Sequence, residues 1–317
     1  MVFVIIPVFN SEKYLKECLD SVFAQTYKNI FVVCVNDGST DSSHYILENY
    51  LKFDNYVILN KNNGGSSSAR NFALNYIFEK YANIIRDSYF VFLDSDDVLS
   101  PHFINSYLKI IINTNSDIAT GNVTCIENCF EDNGLMCVCE REEALLKLFK
   151  NEIFSFSCVK MYKAYLWESV RYPEDISLYE DVATIYKTFL NANKVAVLDC
   201  SLYFYRDNPD SILRKRITNK TAIGMQQACL LRISDINNMQ LSLNNYNELF
   251  SFLLKNYSKT LLDTVWHIKI SLLSDSEKAK LRKTLNAYPT LLIKKNAPLG
   301  IKYFIKYLKL KLILKRI

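Results

Sequence analysis

The chain has 317 residues, half of them hydrophobic, enough to bury a large core as one large or two smaller domains and too apolar for a disordered protein. Three histidines and nine scattered cysteines without CxxC spacing exclude a histidine-rich zinc site, and an odd cysteine count fits a reduced, cytoplasmic compartment better than a disulfide scaffold. The net charge of +5 is unevenly spread: residues 216–317 hold 18 basic and 5 acidic side chains, a balance of +13 against −8 for residues 1–215, so two parts with different partners are expected.

Val2–Pro7 (VFVIIP) is a continuous apolar, β-branched run, the pattern of a strand buried on both faces of a parallel sheet. It has no basic region before it and ends at Pro7, unlike a signal peptide. No uncharged apolar stretch reaches the roughly 18 residues of a membrane span. Ser11 is placed to cap a helix in which Tyr14, Leu15, Cys18, Leu19, Val22 and Phe23 recur at helical spacing. Ile30–Val35 is a second buried strand that runs into the turn-rich Asn36-Asp37-Gly38-Ser39-Thr40-Asp41, and a helical pattern covers Tyr45–Phe53. Tyr56–Leu59 reads as a third strand. Asn62–Ser68 reads as a polar loop before a helix beginning at Ala69 and Arg70.

The fourth strand, Tyr89–Leu93, ends in Asp94-Ser95-Asp96-Asp97. Three carboxylates within four residues repel one another and raise each other's pKa, which packing does not explain. A divalent cation among them removes the cost, and oxygen-only ligands suit Mg²⁺ or Mn²⁺, commonly held by one or two carboxylates and substrate phosphates. The bland alternative is an Asp-rich turn before a helix capped by Ser100 and opened by Pro101. Further on, Ile118–Thr120, Val123–Ile126, Lys194–Leu198 and Leu202–Arg206 have strand character. Glu142–Phe149, Ala164–Glu168 and a segment opened by Ser177–Val182 read as helical.

Strand–helix alternation predicts an α/β fold with a doubly wound, mostly parallel sheet and flanking helices over residues 1–215. Ligands of such sheets bind beyond the carboxyl ends of the strands, so the loops at Asn10, Asp37 and Asp94 should share one crevice. From about Ile217 long helical patterns dominate (Ala222–Ile236, Tyr246–Leu273, Ser276–Leu285), giving a smaller helical region over 216–317. Its tail, Gly300–Ile317, puts Ile301, Phe304, Ile305, Leu308 and Leu312 on one helical face beside Lys302, Lys306, Lys309 and Arg316.

Several motifs then agree in order: IIPVFN at 5–10, SVFAQT at 21–26, VNDGSTD at 35–41, NNGGSSSARN at 62–71, FLDSDDVL at 92–99, YEDV at 179–182 and YFYRDNPDSI at 203–212. Over residues 1–215 the chain resembles the family 2 glycosyltransferases of the GT-A fold, bacterial enzymes that build capsule, lipopolysaccharide and related glycans. The resemblance implies an inverting transfer from a UDP-sugar, with Mn²⁺ or Mg²⁺, to a glycan or lipid-linked glycan acceptor. It implies that Asp96 binds the metal and that Asp94, with Ser95 beside it, contacts the ribose or the metal's water shell. Asp37 would accept the uracil N3–H, with Pro7, Phe9 and Asn10 around the base and Arg70 beside the nucleotide. Phe9 stands where the family often has tyrosine, so a ring stack survives without its hydroxyl. Asp181 resembles the catalytic base, with Glu180 as its neighbour and understudy.

The chemistry requires these residue types on its own terms. An acceptor hydroxyl is too weak an acid to attack unaided, so a carboxylate must take its proton. The leaving diphosphate develops charge that a cation neutralises. An aspartate facing uracil N3–H makes a charge-assisted bond that cytosine cannot offer. Lys160 and Arg206 could reach donor phosphates or acceptor, with structural ion pairs an equal alternative, and Trp167 and Trp266 read as core. The basic C-terminus is expected on an anionic membrane surface, the inner face of the cytoplasmic membrane, since no aromatic–basic nucleic-acid motif accompanies it. Oligomeric state is open, a homodimer included. The competing functions are an inactive glycan-binding or scaffold protein and a nucleotidyltransferase. The latter needs a glycine-rich phosphate loop that IIPVFNSEKYL lacks.

Overall fold

The fold is described from a computed structural model that covers residues 1–208 other than Ser177, residues 219–238 and the single positions 253, 274–276, 278, 279 and 282. The chain divides into two compact units, Met1–Glu174 with Thr184–Ser211, and Asp175–Ala183 with Ile212–Ile317.

The first unit begins as the apolar runs require. β1 (Val2–Val8), α1 (Leu15–Phe23), β2 (Ile30–Asp37), α2 (Ser43–Glu48), β3 (Tyr56–Lys61), α3 (Gly65–Lys80) and β4 (Tyr89–Phe92) alternate along the chain. β1 pairs in parallel with both β2 and β4, and β2 with β3. Val2 to Ile6 are fully buried because helices cover both faces of the sheet. Val2, Val4, Ile6 and Val8 meet Leu15, Cys18, Leu19 and Val22 of α1 in one core. On the other face Phe3 gathers Phe31, Tyr81 and Phe90 at ring distances of 6.0, 5.1 and 5.9 Å.

Beyond β4 the sheet changes character. β5 (Val98–Leu99), α4 (Phe103–Thr114), β6 (Ile118–Thr120), β7 (Val123–Thr124), β8 (Glu131–Glu140), α5 (Arg141–Phe149) and β9 (Lys160–Lys163) follow, then α6 (Glu180–Asn191), β10 (Lys194–Ser201) and β11 (Tyr203–Phe204). β9 runs antiparallel to both β4 and β6, and β8 antiparallel to β10. The eight-stranded order is β3-β2-β1-β4-β9-β6-β10-β8, and a second, three-stranded sheet is β5-β11-β7. The α/β class and flanking helices are as expected, and the parallel part of the large sheet is its β3-β2-β1-β4 half together with the β6–β10 pair.

Several local expectations are corrected. Ser11 gives α1 no side-chain cap; its hydroxyl donates to Phe9 O and pairs with Ser95 Oγ instead. α2 is six residues, with turns replacing its expected second half. α4 opens at Phe103 with His102 before it, two residues beyond the expected Ser100 and Pro101 start. The 164–167 segment is a short 3₁₀ helix.

In the second unit α7 (Asn219–Asn238) confirms the helical reading of 222–236. Ala228 packs with Ile176 and Ala183, and Arg232 Nε donates to Val182 O at 2.6 Å. The expected helices over 246–273 and 276–285 and the basic tail 300–317 lie largely or wholly outside the described residues. Among the described residues no helix is long and apolar enough to cross a membrane.

Candidate active site

The site is assembled at the carboxyl ends of β1, β2 and β4, where neighbouring parallel strands release their loops on the same side. β1 delivers Pro7, half-buried, and just past its end Phe9, a residue 48% exposed. Asn10 adopts a left-handed φ of 48° and its Oδ1 accepts the Thr40 N–H at 2.8 Å. The β1 and β2 loops are thereby laced together, with Asp41 Oδ2 accepting the Glu12 N–H and Glu12 Oε2 accepting the Ser42 N–H.

Asp37 ends β2 and is 1% exposed. The β2–β3 register sets it opposite Lys61, whose Nζ donates to Oδ1 at 2.6 Å. The Gly64 N–H reaches the same oxygen at 2.9 Å and the Gly65 N–H reaches Oδ2 at 2.7 Å. These amides are orphans at the start of α3, so an aspartate from a distant strand caps that helix. Gly38 is required here: its φ is +73° and a Cβ would lie 2.8 Å from Asn63 N.

The cap also moves the helix start. α3 begins at Gly65, so the three serines 66–68 are helical and Arg70 sits in the second turn, not at a helix N-terminus. Arg70 is 5% exposed, donates from Nη2 to Asp94 Oδ1 at 2.7 Å and lies over the Tyr172 ring at 5.4 Å. Its guanidinium fixes the first carboxylate of the β4 turn.

The four residues of that turn have separate fates. Ser95 Oγ lies 2.6 Å from Ser11 Oγ. Asp96 is half-buried and accepts an Asn208 amide N–H at 3.0 Å; burial, with the Asp94 charge adding to it, holds its carboxyl above the ordinary range. Asp97 turns inward, 1% exposed, where burial first and then Asp94 push its carboxyl up to about 8. It accepts the Tyr203 hydroxyl at 2.6 Å and the Arg206 backbone N–H at 2.8 Å. The Tyr203 oxygen in turn accepts the Asp94 N–H at 3.3 Å.

Arg206 completes the frame. Its Nε donates to Asp96 O at 2.8 Å, its Nη2 pairs with Glu17, and its plane covers Tyr14 at 4.8 Å and Phe204 at 5.0 Å. The structural-ion-pair alternative for Arg206 is the one realised here. Lys160, fully buried, donates to Phe154 O and Phe156 O at 2.7 and 2.8 Å. Trp167 is core, as read.

Sequence reading missed Lys61, Tyr203 and Asn208. The first was recoverable only from strand register; the other two lie in the YFYRDN run, whose individual contacts no spacing predicts. Tyr203→Phe is expected to cost about 2 kcal/mol, because it leaves a buried Asp97 oxygen without its donor; urea unfolding measures it.

Glu180 and Asp181 open α6, half-buried, in the segment that belongs to the second unit. Leu178 and Tyr179 before them hold left-handed φ values of 66° and 70°, a strained entry of the kind that clusters at functional sites.

The donor set at β4 suits a hard cation. Asp94 and Asp96 offer carboxylate oxygens, and the raised proton affinity of Asp96 is a cost that a divalent ion would relieve. Among the described residues no three His, Cys, Asp or Glu side chains form a cage by themselves.

The family model "Glycosyl transferase family 2" matches residues 3–170, just over half the chain and the part of this site that comes from the ends of β1, β2 and β4; Tyr172, the acidic pair at 180 and 181, and β11 with its flanks lie beyond it. The chain belongs to glycosyl transferase family 2. Glycosyltransferase GlyA of Streptococcus pneumoniae is 35% identical over 254 residues, 74% of this chain and 34% of GlyA, so the chain spans about a third of that relative. Glycosyltransferase GlyG of the same organism is 27% identical over 277 residues, 82% of this chain and 89% of GlyG. Among solved structures, Staphylococcus aureus TarS 1–349 superposes with a TM-score of 0.69 at 21% identity, over 92% of this chain and 80% of that one. Its complex with UDP-GlcNAc gives 0.57 at 19%, over 92% and 90%. The fold is GT-A.

Proposed function

We propose that this glycosyltransferase moves a hexose or N-acetylhexosamine, with inversion, from a UDP-sugar to a hydroxyl of a glycan or lipid-linked glycan acceptor in surface polysaccharide synthesis. The observation that carries this is the joint placement of Phe9, Asp37 and the Asp94–Asp96 pair at the ends of adjacent parallel strands. An open ring, a buried carboxylate and a diphosphate-facing acidic pair match base, base edge and phosphate of one nucleotide. The TarS complex with UDP-GlcNAc supports the uridine choice.

Asp37 accepts three protein donors. A carboxylate has about four acceptor sites, so capacity remains for one more donor, the uracil N3–H. Phe9 stacks on the base, and Pro7 and Asn10 shape its rim. Asp94, held by Arg70, faces the ribose, with Ser95 at its side. Asp96 and Asp94 would hold Mn²⁺ or Mg²⁺, which when bound neutralises charge on the leaving diphosphate. Asp181 takes the acceptor hydroxyl proton as the new C1–O bond forms and the C1–O bond to UDP breaks on the opposite face. Glu180 hydrogen-bonds the acceptor. Residues 1–215 are the catalytic part, and the basic 216–317 region rests on an anionic membrane surface.

Screening purified protein against UDP-glucose, UDP-galactose, UDP-GlcNAc and UDP-GalNAc tests the reading. UDP release with Mn²⁺ from at least one donor, lost on EDTA treatment and restored by excess Mn²⁺ or Mg²⁺, is the expected result. Release from none, or release indifferent to EDTA, would overturn it.

A further inference from the structure

Three aromatic rings in the first unit share one orientation. Phe154 and Phe156 lie 5.5 Å apart with planes 9° from parallel, and Phe156 and Tyr205 lie 6.5 Å apart at 6°. Phe156 and Tyr205 are partly buried against the core, while Phe154 is 36% exposed at the outer end. Neither core packing nor the nucleotide site accounts for the outer ring.

The row is built rigidly. Lys160 donates to the carbonyls of Phe154 and Phe156 at 2.7 and 2.8 Å and so holds the backbone of the Phe-Ser-Phe segment. The inner ring is fixed as well: the Tyr205 N–H donates to Thr124 O at 2.9 Å. The peptide joining Tyr205 to Arg206 donates its N–H to Asp97 Oδ1 at 2.8 Å. The row therefore starts one peptide from the acidic turn and ends at an exposed ring.

We infer that Phe154, with Phe156 and Tyr205 behind it, is a stacking platform for a pyranose ring of the acceptor glycan. The inference rests on the transferase reading above and adds the acceptor's place. A pyranose has a flat face of C–H groups and a rim of hydroxyls. The C–H face is attracted to the negative face of an aromatic ring, and burying both removes apolar area from water. Rings with parallel planes present such a face, whereas an acyl chain or an apolar helix needs a groove. The neighbours favour a sugar too. Asn151, Glu152 and Asp207 flank the rings in sequence, are exposed, and supply polar partners for a hydroxyl rim rather than for a lipid or a hydrophobic protein surface.

The test uses the full chain and four probes at millimolar concentration, the methyl β-glycosides of glucose, galactose, N-acetylglucosamine and N-acetylgalactosamine. Saturation-transfer NMR reports which sugar protons touch the protein. At least one glycoside should show transfer concentrated on the C–H protons of one ring face. Phe154→Leu, which keeps an apolar side chain and hence the fold, should weaken that binding about tenfold, and Phe154→Tyr should keep it. UDP release in the absence of acceptor should be unchanged in both variants. No binding by the wild type, or equal binding by Phe154→Leu, overturns the platform. A concentration-dependent rise in mass that Phe154→Leu abolishes would make the patch a self-association surface and also overturn it. Acceptor-free UDP release by the wild type reads the transferase function separately, so a failed platform and a failed transferase give different results.

Discussion

Asp96→Ala is expected to lower UDP release from the preferred donor by about 10²- to 10³-fold, the loss of one preorganised charge-stabilising group. The substitution separates chemistry from folding unusually well. The backbone of the turn is held by contacts that alanine retains, with Arg206 Nε on the residue 96 carbonyl and the Arg206 N–H on Asp97. The side chain itself is a burden on the fold. Burial and Asp94 raise its proton affinity above that of the unfolded chain, so ionised Asp96 disfavours the native state at neutral pH. This contribution is absent well below the unfolded value and grows as the pH rises through the folded one. Asp96→Ala should therefore melt at the wild-type temperature or higher at pH 7 while losing activity. Wild-type turnover in the alanine variant would remove the acidic turn from the mechanism.

The strands that carry the site were readable because they are buried on both faces, which leaves a continuous apolar run in β1, β2 and β4. The carboxylates at their ends stood out because three like charges within four residues follow directly on such a run. What failed was governed by partners far along the chain. Serines 66–68 have a loop-former's preference, yet they are helical because Asp37 captures the amides of Gly64 and Gly65 from another strand. The same displacement took Arg70 from the helix start and gave its guanidinium to Asp94. β9 escaped notice because its sequence, KMYK, begins with a lysine that hydropathy puts in water and the fold puts at 0% exposure. β8 escaped because it is a sheet edge, paired on one side only and largely exposed, so neither alternation nor a continuous apolar run marks it. The third acid of the turn was grouped with its neighbours by sequence. Only the hydroxyl of Tyr203, 106 residues on, shows that Asp97 belongs to the interior.

Asp181→Asn is expected to cut sugar transfer by about 10²- to 10⁴-fold, the usual worth of a positioned general base. The amide matches the carboxylate in size and hydrogen-bonding reach but cannot take a proton. Donor KM should therefore stay within about twofold while kcat falls, the pattern of an interaction used only in the transition state. Folding should be spared, because the segment is anchored through its backbone and its apolar side chains. The Ala183 N–H donates to Tyr179 O at 3.1 Å, Val182 O accepts Arg232 Nε, and Ile176 and Ala183 pack with Ala228. Glu180→Gln separates the neighbours: a hydrogen-bonding role predicts a rise in acceptor KM, and a base role predicts a fall in kcat. Both carboxylates lie in the first turn of α6, side by side in the chain, so the two substitutions probe neighbouring positions on one helix end. If Asp181→Asn transfers sugar at the wild-type rate while Glu180→Gln does not, the proton goes to position 180. If neither loses activity, the acceptor is activated from elsewhere in the chain.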